Sequence, residues 1–356
     1  MSWQYDITFN KKKNLYYLNY QRFENDLLLA SAKKWFKTKQ DAEVWIQACQ
    51  QYVCGDNTIL FHQLTDAYLS CVSSIIRSNT VLNKKAIISK HILPFFEDYR
   101  ICDISIDTIR DYHTHLANCS LSDSFIKTIH NQLTAILNFA VEVYGLKENP
   151  AQLVGNPGTD KHTSVSYWTI DQYMSFRKEI AALKVKSYLC AFDLLYFSAV
   201  RVGELLALTK KDIDFVNCTI AISKSRQLIE GITTLTPPKS RQSYRTITLP
   251  VFLALELADY SKEFSSQDYL FPSFTKALLA RVVKEYSAKA GIDKIRLADF
   301  RHSHVLLLAQ QGYDVNSIAK RIGNDAVDVA KRYSALFSDA ELQIAKSLQF
   351  AYEEHL

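Results

Sequence analysis

The sequence contains no Cys-x-x-Cys pair. Its seven cysteines stand at 49, 54, 71, 102, 119, 190 and 218, an odd number without a tight Cys/His ladder. That spacing argues against a disulfide framework or a structural zinc site and leaves reduced, mostly buried thiols. The N-terminus, MSWQYDITFNKKK, has no continuous apolar stretch, so no signal peptide is expected. No run approaches the roughly 18 apolar residues of a membrane span. The expected location is therefore cytoplasmic, with no membrane partner. Internal repeats and low-complexity tracts are also missing. Neither sign of charge dominates: 42 Lys and Arg against 37 Asp and Glu give a formal +5 and a pI near 8.6. Such a balance permits a polyanionic partner without arguing for one, because nucleic-acid binding depends on clustered rather than total charge.

What is present is enough apolar residue, 48 %, to build real cores, and a length of 356 residues, which suits two or three domains. Residues 3–22 alternate: Trp3, Tyr5, Ile7 and Phe9 share one face, a lysine turn follows, and Leu15 to Tyr20 reads as a second strand. A third short strand is expected near Leu27–Ala30. Thr38 can then cap a helix, with Asp41 in the capping-box position. The lysines at 11–13, 33, 34, 37 and 39 make this a basic, aromatic mini-domain over 1–56, or simply give it a solvated face. Residues 57–156 are almost wholly helix-periodic, with Phe61, Leu64, Ala67, Tyr68 and Cys71 at helical spacing and a long helix over Phe125–Tyr144 capped by Ser122 or Ser124. Val154 to Asp160 is turn-rich and reads as a linker. Beyond it Thr169 caps a helix, and Ser187–Thr209 reads as one strong helix. The period then changes from Ile213 to Leu249, the signature of a β-meander. Helices resume around Phe252, over Phe274–Ala290, and from Asp299 onward.

Four short motifs carry chemistry. Ser198-Ala199-Val200-Arg201-Val202-Gly203-Glu204 sets an arginine after a buried apolar turn and ahead of a helical stripe. Pro238-Lys239-Ser240 lies in the meander, just before Tyr244-Arg245. Asp299-Phe300-Arg301-His302-Ser303-His304 opens an apolar helix, and Arg332-Tyr333-Ser334 follows the turn Gly323-Asn324. Together they resemble the catalytic motifs of the tyrosine recombinases, the phage-integrase family, of the mobile-element integrase type. Arg201 matches the first arginine, Lys239 the β-hairpin lysine, Arg301 the second arginine and Tyr333 the nucleophile. Residues 1–56 are similar, less specifically, to an arm-type DNA-binding domain, and 57–156 to a helical core-binding domain. Residues 157–356 then form the catalytic domain. The fold class implied is mainly α with small β elements (α+β): a small three-stranded sheet plus helix, a helical domain, and a mixed helix and β-hairpin catalytic domain.

The resemblance implies a site-specific recombinase or integrase for a phage or mobile element. The tyrosine oxygen attacks a DNA phosphodiester, leaving a 3′-phosphotyrosyl link and a free 5′-hydroxyl that later attacks in reverse. The bond energy is retained, so no cofactor and no metal is implied. Negative charge gathers on the non-bridging oxygens in the transition state, and the permanently charged, planar fork of arginine suits them. The resemblance makes Lys239 the general acid that protonates the leaving oxygen. Glu204 reads as a support that orients Arg201. The partners implied are double-stranded DNA with specific attachment-type sites, and further copies of the chain in a homotetramer that exchanges a C-terminal helix within Ser334–Leu356. Candidate DNA contacts in the helical domain are Lys84, Lys85, Lys90, Lys127 and Asn131.

Two positions depart from the family pattern. Ala298 stands where a histidine is usual, three before the second arginine. Asn324 stands nine before the tyrosine, where histidine or tryptophan is usual. Alanine can transfer no proton, whereas the asparagine amide can donate to a phosphate oxygen. The clamp is therefore expected to survive with weakened base assistance to Tyr333. His304, on the same helical face as 298, is the substitute to consider; His302 and His304 otherwise read as helix-start or core histidines. The alternative function is a recombinase-derived, sequence-specific DNA-binding protein with weak or no strand transfer. A relaxing type IB topoisomerase shares the chemistry but has no need of the basic mini-domain.

Overall fold

The computed structural model describes residues 2–11, 13–24, 27–50, 57–158, 166–229, 231–238 and 240–337. Lys239 and nearly all of the expected exchange helix lie outside the described residues. The chain divides into two compact units, Met1–Thr163 and Ser164–Leu356.

In the first unit, β1 (Ser2–Asn10), β2 (Leu15–Glu24) and β3 (Leu27–Phe36) form an antiparallel sheet in that order. The third strand is much longer than Leu27–Ala30, because it stays paired to β2 as far as Tyr16↔Phe36. Lys33 and Lys34 mask its alternation in the sequence. Lys34 spends its charge inside the unit, with its ammonium 4.2 Å from the Trp45 ring centre and 3.3 Å from Glu142. Helix α1 (Lys39–Gln50) starts where expected, Thr38 Oγ1 accepting from the Asp41 N–H at 3.0 Å. Next come α2 (Phe61–Ser73), α3 (Ser78–Ile87), a π-helical turn (Ile88–Ile92) and α4 (Leu93–Phe96). Pro94 is the second residue of α4, directly after the π-helical turn. Then follow α5 (Ile106–Asn118), α6 (Asp123–Phe139), a second π-helical turn (Ala140–Tyr144) and α7 (Pro150–Val154). The Ser122 hydroxyl caps α6 at 3.3 Å, so the long helix begins two residues earlier than its apolar stripe. One apolar core runs from the sheet (Leu18, Tyr20) through Trp45 to Phe61, Phe96, Leu133 and Phe139.

In the second unit, the Thr169 hydroxyl accepts from Gln172 N–H and starts α8 (Ile170–Ala181). The single helix expected over Ser187–Thr209 is two: α9 (Lys186–Ser198) and α10 (Val202–Ala207). The break falls at Ala199, whose φ of 53° is left-handed. That conformation costs an alanine about 1–2 kcal/mol, and it turns the Ala199 carbonyl and Arg201 into the site described below. The expected meander is likewise two separate structures. Strands β4 (Ile213–Asp214), β5 (Thr219–Ile222) and β8 (Arg245–Thr248) make one sheet in the order β4-β5-β8. Strands β6 (Ser225–Ile229) and β7 (Ile232–Thr236) form a hairpin of their own, which presents Leu228 and Ile232 to solvent. Period-two alternation identifies strands but does not choose their partners.

Helices α11 (Val251–Tyr260), α12 (Lys276–Lys289), α13 (Asp299–Gln310), α14 (Val315–Ile322) and α15 (Ala326–Phe337) complete the unit. Its main core gathers Trp168, Phe176, Phe192, Leu253 and Phe300. A smaller cluster of Ala199, Val305, Ile318, Ile322, Val329 and Tyr333 sits under the ends of α9, α13, α14 and α15. No helix among the described residues is long and apolar enough to cross a membrane.

Candidate active site

Arg201 ends the break between α9 and α10. Its backbone N–H donates to Glu204 Oε2 at 2.9 Å and its Nη1 to Glu204 Oε1 at 2.8 Å, so the carboxylate of the first turn of α10 fixes both ends of the residue. Glu204 is buried and also receives Arg245, from Nη2 at 2.8 Å and Nη1 at 3.2 Å. Burial alone would raise its pKa; the bonds from Arg245 and Arg201 outweigh that and hold it below the usual range. Glu204 is thus a permanent counter-charge beneath two arginines, as the i,i+3 spacing to Arg201 suggests. Arg245 was legible only as a neighbour of Lys239, yet it is an integral part of the clamp.

Arg301 lies in the first turn of α13 and reaches the same place from the other side. Nη1 donates to the Ala199 carbonyl at 2.8 Å, and Nη2 donates to the Ile322 carbonyl and, at 3.0 Å, to Asn324 Oδ1. Arg201 Nη2 reaches the same Asn324 oxygen at 2.8 Å and the Gly323 carbonyl at 3.4 Å. Asn324 therefore joins the two arginines through its oxygen. Gly323 closes α14 with φ +68°, and a Cβ there would stand 2.8 Å from the Gln242 carbonyl and 2.9 Å from Arg245 Cδ; only glycine brings this turn so close. Burial, and then the charges of Arg201 and Arg245, push Arg301 down to about 9. It stays cationic at neutral pH, in a setting short of negative charge that an anion would relieve.

Tyr333 is buried on α15, at a kink where φ −118°, ψ 18° depart from helical values. Its hydroxyl is hydrogen-bonded to His302 Nδ1. Burial raises its pKa, against the pull of Arg332 and Arg301. The sequence marks His302 only as a helix-start or core histidine, because it does not share Arg301's helical face. It is one residue further on, about 100° around the helix, and faces α15 instead. His304 does not substitute for position 298. It is buried, its Nδ1 lies 2.8 Å from the Tyr196 carbonyl and its Nε2 accepts from Arg321 Nε at 3.1 Å. Burial and Arg321 push it down to about 3, a neutral core histidine.

The structure thus brings together Arg201, Arg301 and Asn324, with Tyr333 packed against the same turns, while Lys239 lies outside the described residues. Of the candidate DNA contacts in the first unit, Lys85, Lys90 and Asn131 are exposed. Lys84 is half-buried and donates to Tyr68 Oη at 2.9 Å and Gln132 Oε1 at 2.7 Å. Lys127 is half-buried beside the 155–158 turn, where Asn156 Nδ2 donates to its carbonyl and to Asn131 Oδ1. Among the described residues no group of three or more His, Cys, Asp and Glu is gathered as a metal site requires.

Comparison with known proteins bears on this geometry. The sequence model of the Phage integrase family matches residues 169–339, and that of the phage integrase N-terminal SAM-like domain matches residues 60–117. The ICEBs1 integrase of Bacillus subtilis is 30% identical over 312 residues, covering 82% of this chain and 83% of that one. A putative prophage phiRv2 integrase of Mycobacterium tuberculosis is 22% identical over 341 residues, 89% of this chain and 88% of its own. Among solved structures, the Tn1549 transposon integrase in complex with a circular intermediate DNA superposes with a TM-score of 0.68 at 19% identity, over 77% of this chain and 95% of that one. A lambda integrase bound as a dimer to a COC′ core site gives 0.61 at 14%, over 92% and 93%. Those two likenesses establish the fold, mainly helical with small antiparallel sheets. The ICEBs1 relative, with 30% identity sustained over most of both chains, settles the rest: this chain belongs to the phage integrase family of tyrosine recombinases.

Proposed function

We propose that the second unit cuts and rejoins double-stranded DNA through Tyr333, with Arg201 and Arg301 holding the scissile phosphate. The chain is a site-specific recombinase of the mobile-element integrase type. The observation that carries the assignment of roles is the shared Asn324 oxygen. Two guanidinium groups from distant parts of the chain converge on one acceptor, 2.8 and 3.0 Å away, as they would on the non-bridging oxygens of a phosphate. Donors fixed in advance by buried partners need little reorganisation as charge develops on phosphorus. Tyr333 supplies the nucleophile and Lys239 the proton for the departing 5′-oxygen. Asn324, its oxygen occupied by the arginines, presents its amide to the phosphate.

Around this centre the chain is divided into an arm-type DNA-binding segment (1–56), a core-binding segment (57–156) and the catalytic domain (157–356). It acts in the cytoplasm on specific attachment-type sites as a homotetramer. Lys85, Lys90, Lys127 and Asn131 contact the core site, and Lys84 supports them from within. The test is incubation with a nicked suicide duplex carrying the element's end sequence, followed by denaturing electrophoresis. A covalent protein–DNA adduct is expected, absent in Tyr333→Phe with DNA binding retained. Binding without any adduct in the natural chain would favour the DNA-binding protein over the recombinase.

A further inference from the structure

His302 has a contact that the roles above leave unused. Its Nδ1 is bonded to the Tyr333 hydroxyl, the two rings lying 5.5 Å apart between centres. On its other side Nε2 faces Asp299 Oδ1 at 3.9 Å. Asp299 is fully buried and is itself clamped by Arg296, through the backbone N–H at 2.8 Å, Nε at 3.1 Å and Nη2 at 2.9 Å. A nucleophile, a nitrogen base and a carboxylate behind the base thus stand in sequence, the arrangement by which hydroxyl nucleophiles are activated on unrelated folds. The family's usual histidine, meanwhile, is replaced by an alanine at 298.

We infer that His302 accepts the Tyr333 proton during strand cleavage and returns it during rejoining, with Asp299 as its positioning residue. The inference rests on the reading of Tyr333 as nucleophile. In cleavage, the Oη–H proton passes to Nδ1 as the Oη–P bond forms; the P–O5′ bond breaks and the 5′-oxygen takes a proton from the acid, Lys239. In rejoining, the 5′-hydroxyl gives that proton back to the neutral lysine as it attacks phosphorus. The P–Oη bond breaks, and Oη recovers its proton from the imidazolium. An accepting Nδ1 requires the proton of neutral imidazole on Nε2, toward Asp299, which is the tautomer a carboxylate favours. The charged and titratable groups facing His302 are Asp299 and Arg301 on its own helix, Arg296 before it, and Arg332 and Tyr333 on α15. Burial first, and then the three arginines against Asp299, keep the imidazole below its ordinary pKa. It is therefore neutral and able to accept at physiological pH.

The alternative is that His302 merely satisfies a buried hydroxyl. Single-turnover cleavage by the full-length protein separates the two, using a suicide duplex with either oxygen or sulfur at the bridging 5′ position. Sulfur leaves without needing an acid, so it isolates activation of the nucleophile. His302→Gln keeps a hydrogen bond but cannot carry the proton. It is expected to slow adduct formation about 10²–10³-fold, in the range of general-base catalysis, and equally on both duplexes, with DNA affinity unchanged. Its rate should climb with pH toward the tyrosine's own ionisation, while the natural chain levels off above the imidazole pKa. Asp299→Asn should move that limb to lower pH, since the carboxylate raises the imidazole. A His302→Gln rate within threefold of the natural chain, or its recovery on sulfur, would overturn the proposal. Should that variant fail to fold, a natural-chain profile on sulfur with no limb below the ordinary imidazole pKa would do the same. Failure of the natural chain to form an adduct at Tyr333 would instead sink the parent reading.

Discussion

The arginine side and the tyrosine side of the site are held by different means. Arg301 ends on two backbone carbonyls and the Asn324 oxygen, and Arg201 on Glu204, Asn324 and the Gly323 carbonyl. Apart from Glu204, those acceptors come from places where a helix stops: Ala199 after α9, and Ile322, Gly323 and Asn324 at the end of α14. A helix end leaves carbonyls without partners, and here guanidinium groups take them up. The clamp is thus part of how the unit folds. Tyr333, by contrast, is positioned by a kinked turn of α15, by apolar packing in the cluster with Ala199, Val305 and Ile322, and by one hydrogen bond, to His302. A charge receptor tied by many hydrogen bonds, beside a hydroxyl with a single one, suits the proposed reaction, in which the phosphate stays while the tyrosine oxygen is bonded and released.

Removing the clamp should break the comparison most visibly. Arg301→Ala is expected to lower the single-turnover cleavage rate by at least about 10²–10³-fold, the scale for loss of one preorganised donor to a developing oxyanion. Arg301→Lys should recover little of it, since an ammonium cannot span the Ala199 and Ile322 carbonyls as a fork does. A lysine variant within tenfold of the natural rate would mean that charge alone, without geometry, is what position 301 supplies.

The two sides should also differ in what they contribute to stability. Glu204→Ala leaves Arg201 and the buried Arg245 without their counter-charge, and breaking such a pair costs about 3–5 kcal/mol. Tyr333→Phe forfeits one hydrogen bond, worth about 0.5–1.5 kcal/mol. Urea denaturation of both variants would show the ratio, and equal losses would contradict the division into a structural clamp and a tyrosine hydroxyl held by one bond. Asn324→Asp sharpens it further. A carboxylate between the two arginines should raise the denaturation midpoint and compete with phosphate for the same donors. An extra charge-assisted bond of about 1.5–3 kcal/mol corresponds to cleavage slowed about 10–100-fold.

Much of this was legible in the sequence, and the limits have physical causes. Most helical stripes, the Thr38 and Thr169 caps and the Arg301 and Tyr333 motifs are local patterns that fall on the helices expected of them, whereas Arg201, expected within one helix over Ser187–Thr209, stands in the break before α10. The break after Ser198 was hidden because Ala199 and Val200 continue the apolar run, and the left-handed turn is imposed by what its carbonyl meets 102 residues later. The pairing of β5 with β8, past an intervening hairpin, depends on contacts that alternation does not encode. The roles of Arg245 and His302 are hidden in the sequence for a related reason. Both stand beside a residue with a motif, and which neighbour reaches the site depends on how helices and strands are rotated against one another.

The smallest expected effect concerns position 298, the departure that first put proton transfer in question. Ala298 is exposed just before α13, with φ −69° and ψ −24°, and its carbonyl accepts from the Arg301 N–H at 3.3 Å. A histidine fits that backbone, so Ala298→His should fold normally and bind DNA as before. With His302 already on the tyrosine hydroxyl, the added imidazole should change cleavage by less than about tenfold, well under the 10²–10⁴ that general acid–base assistance supplies where it is missing. In a His302→Gln background the same substitution has a vacancy to fill, and a larger gain is expected there. A rise of a hundredfold from Ala298→His alone would mean that Tyr333 works unassisted in the natural chain. His302 would then be no more than a partner for a buried hydroxyl.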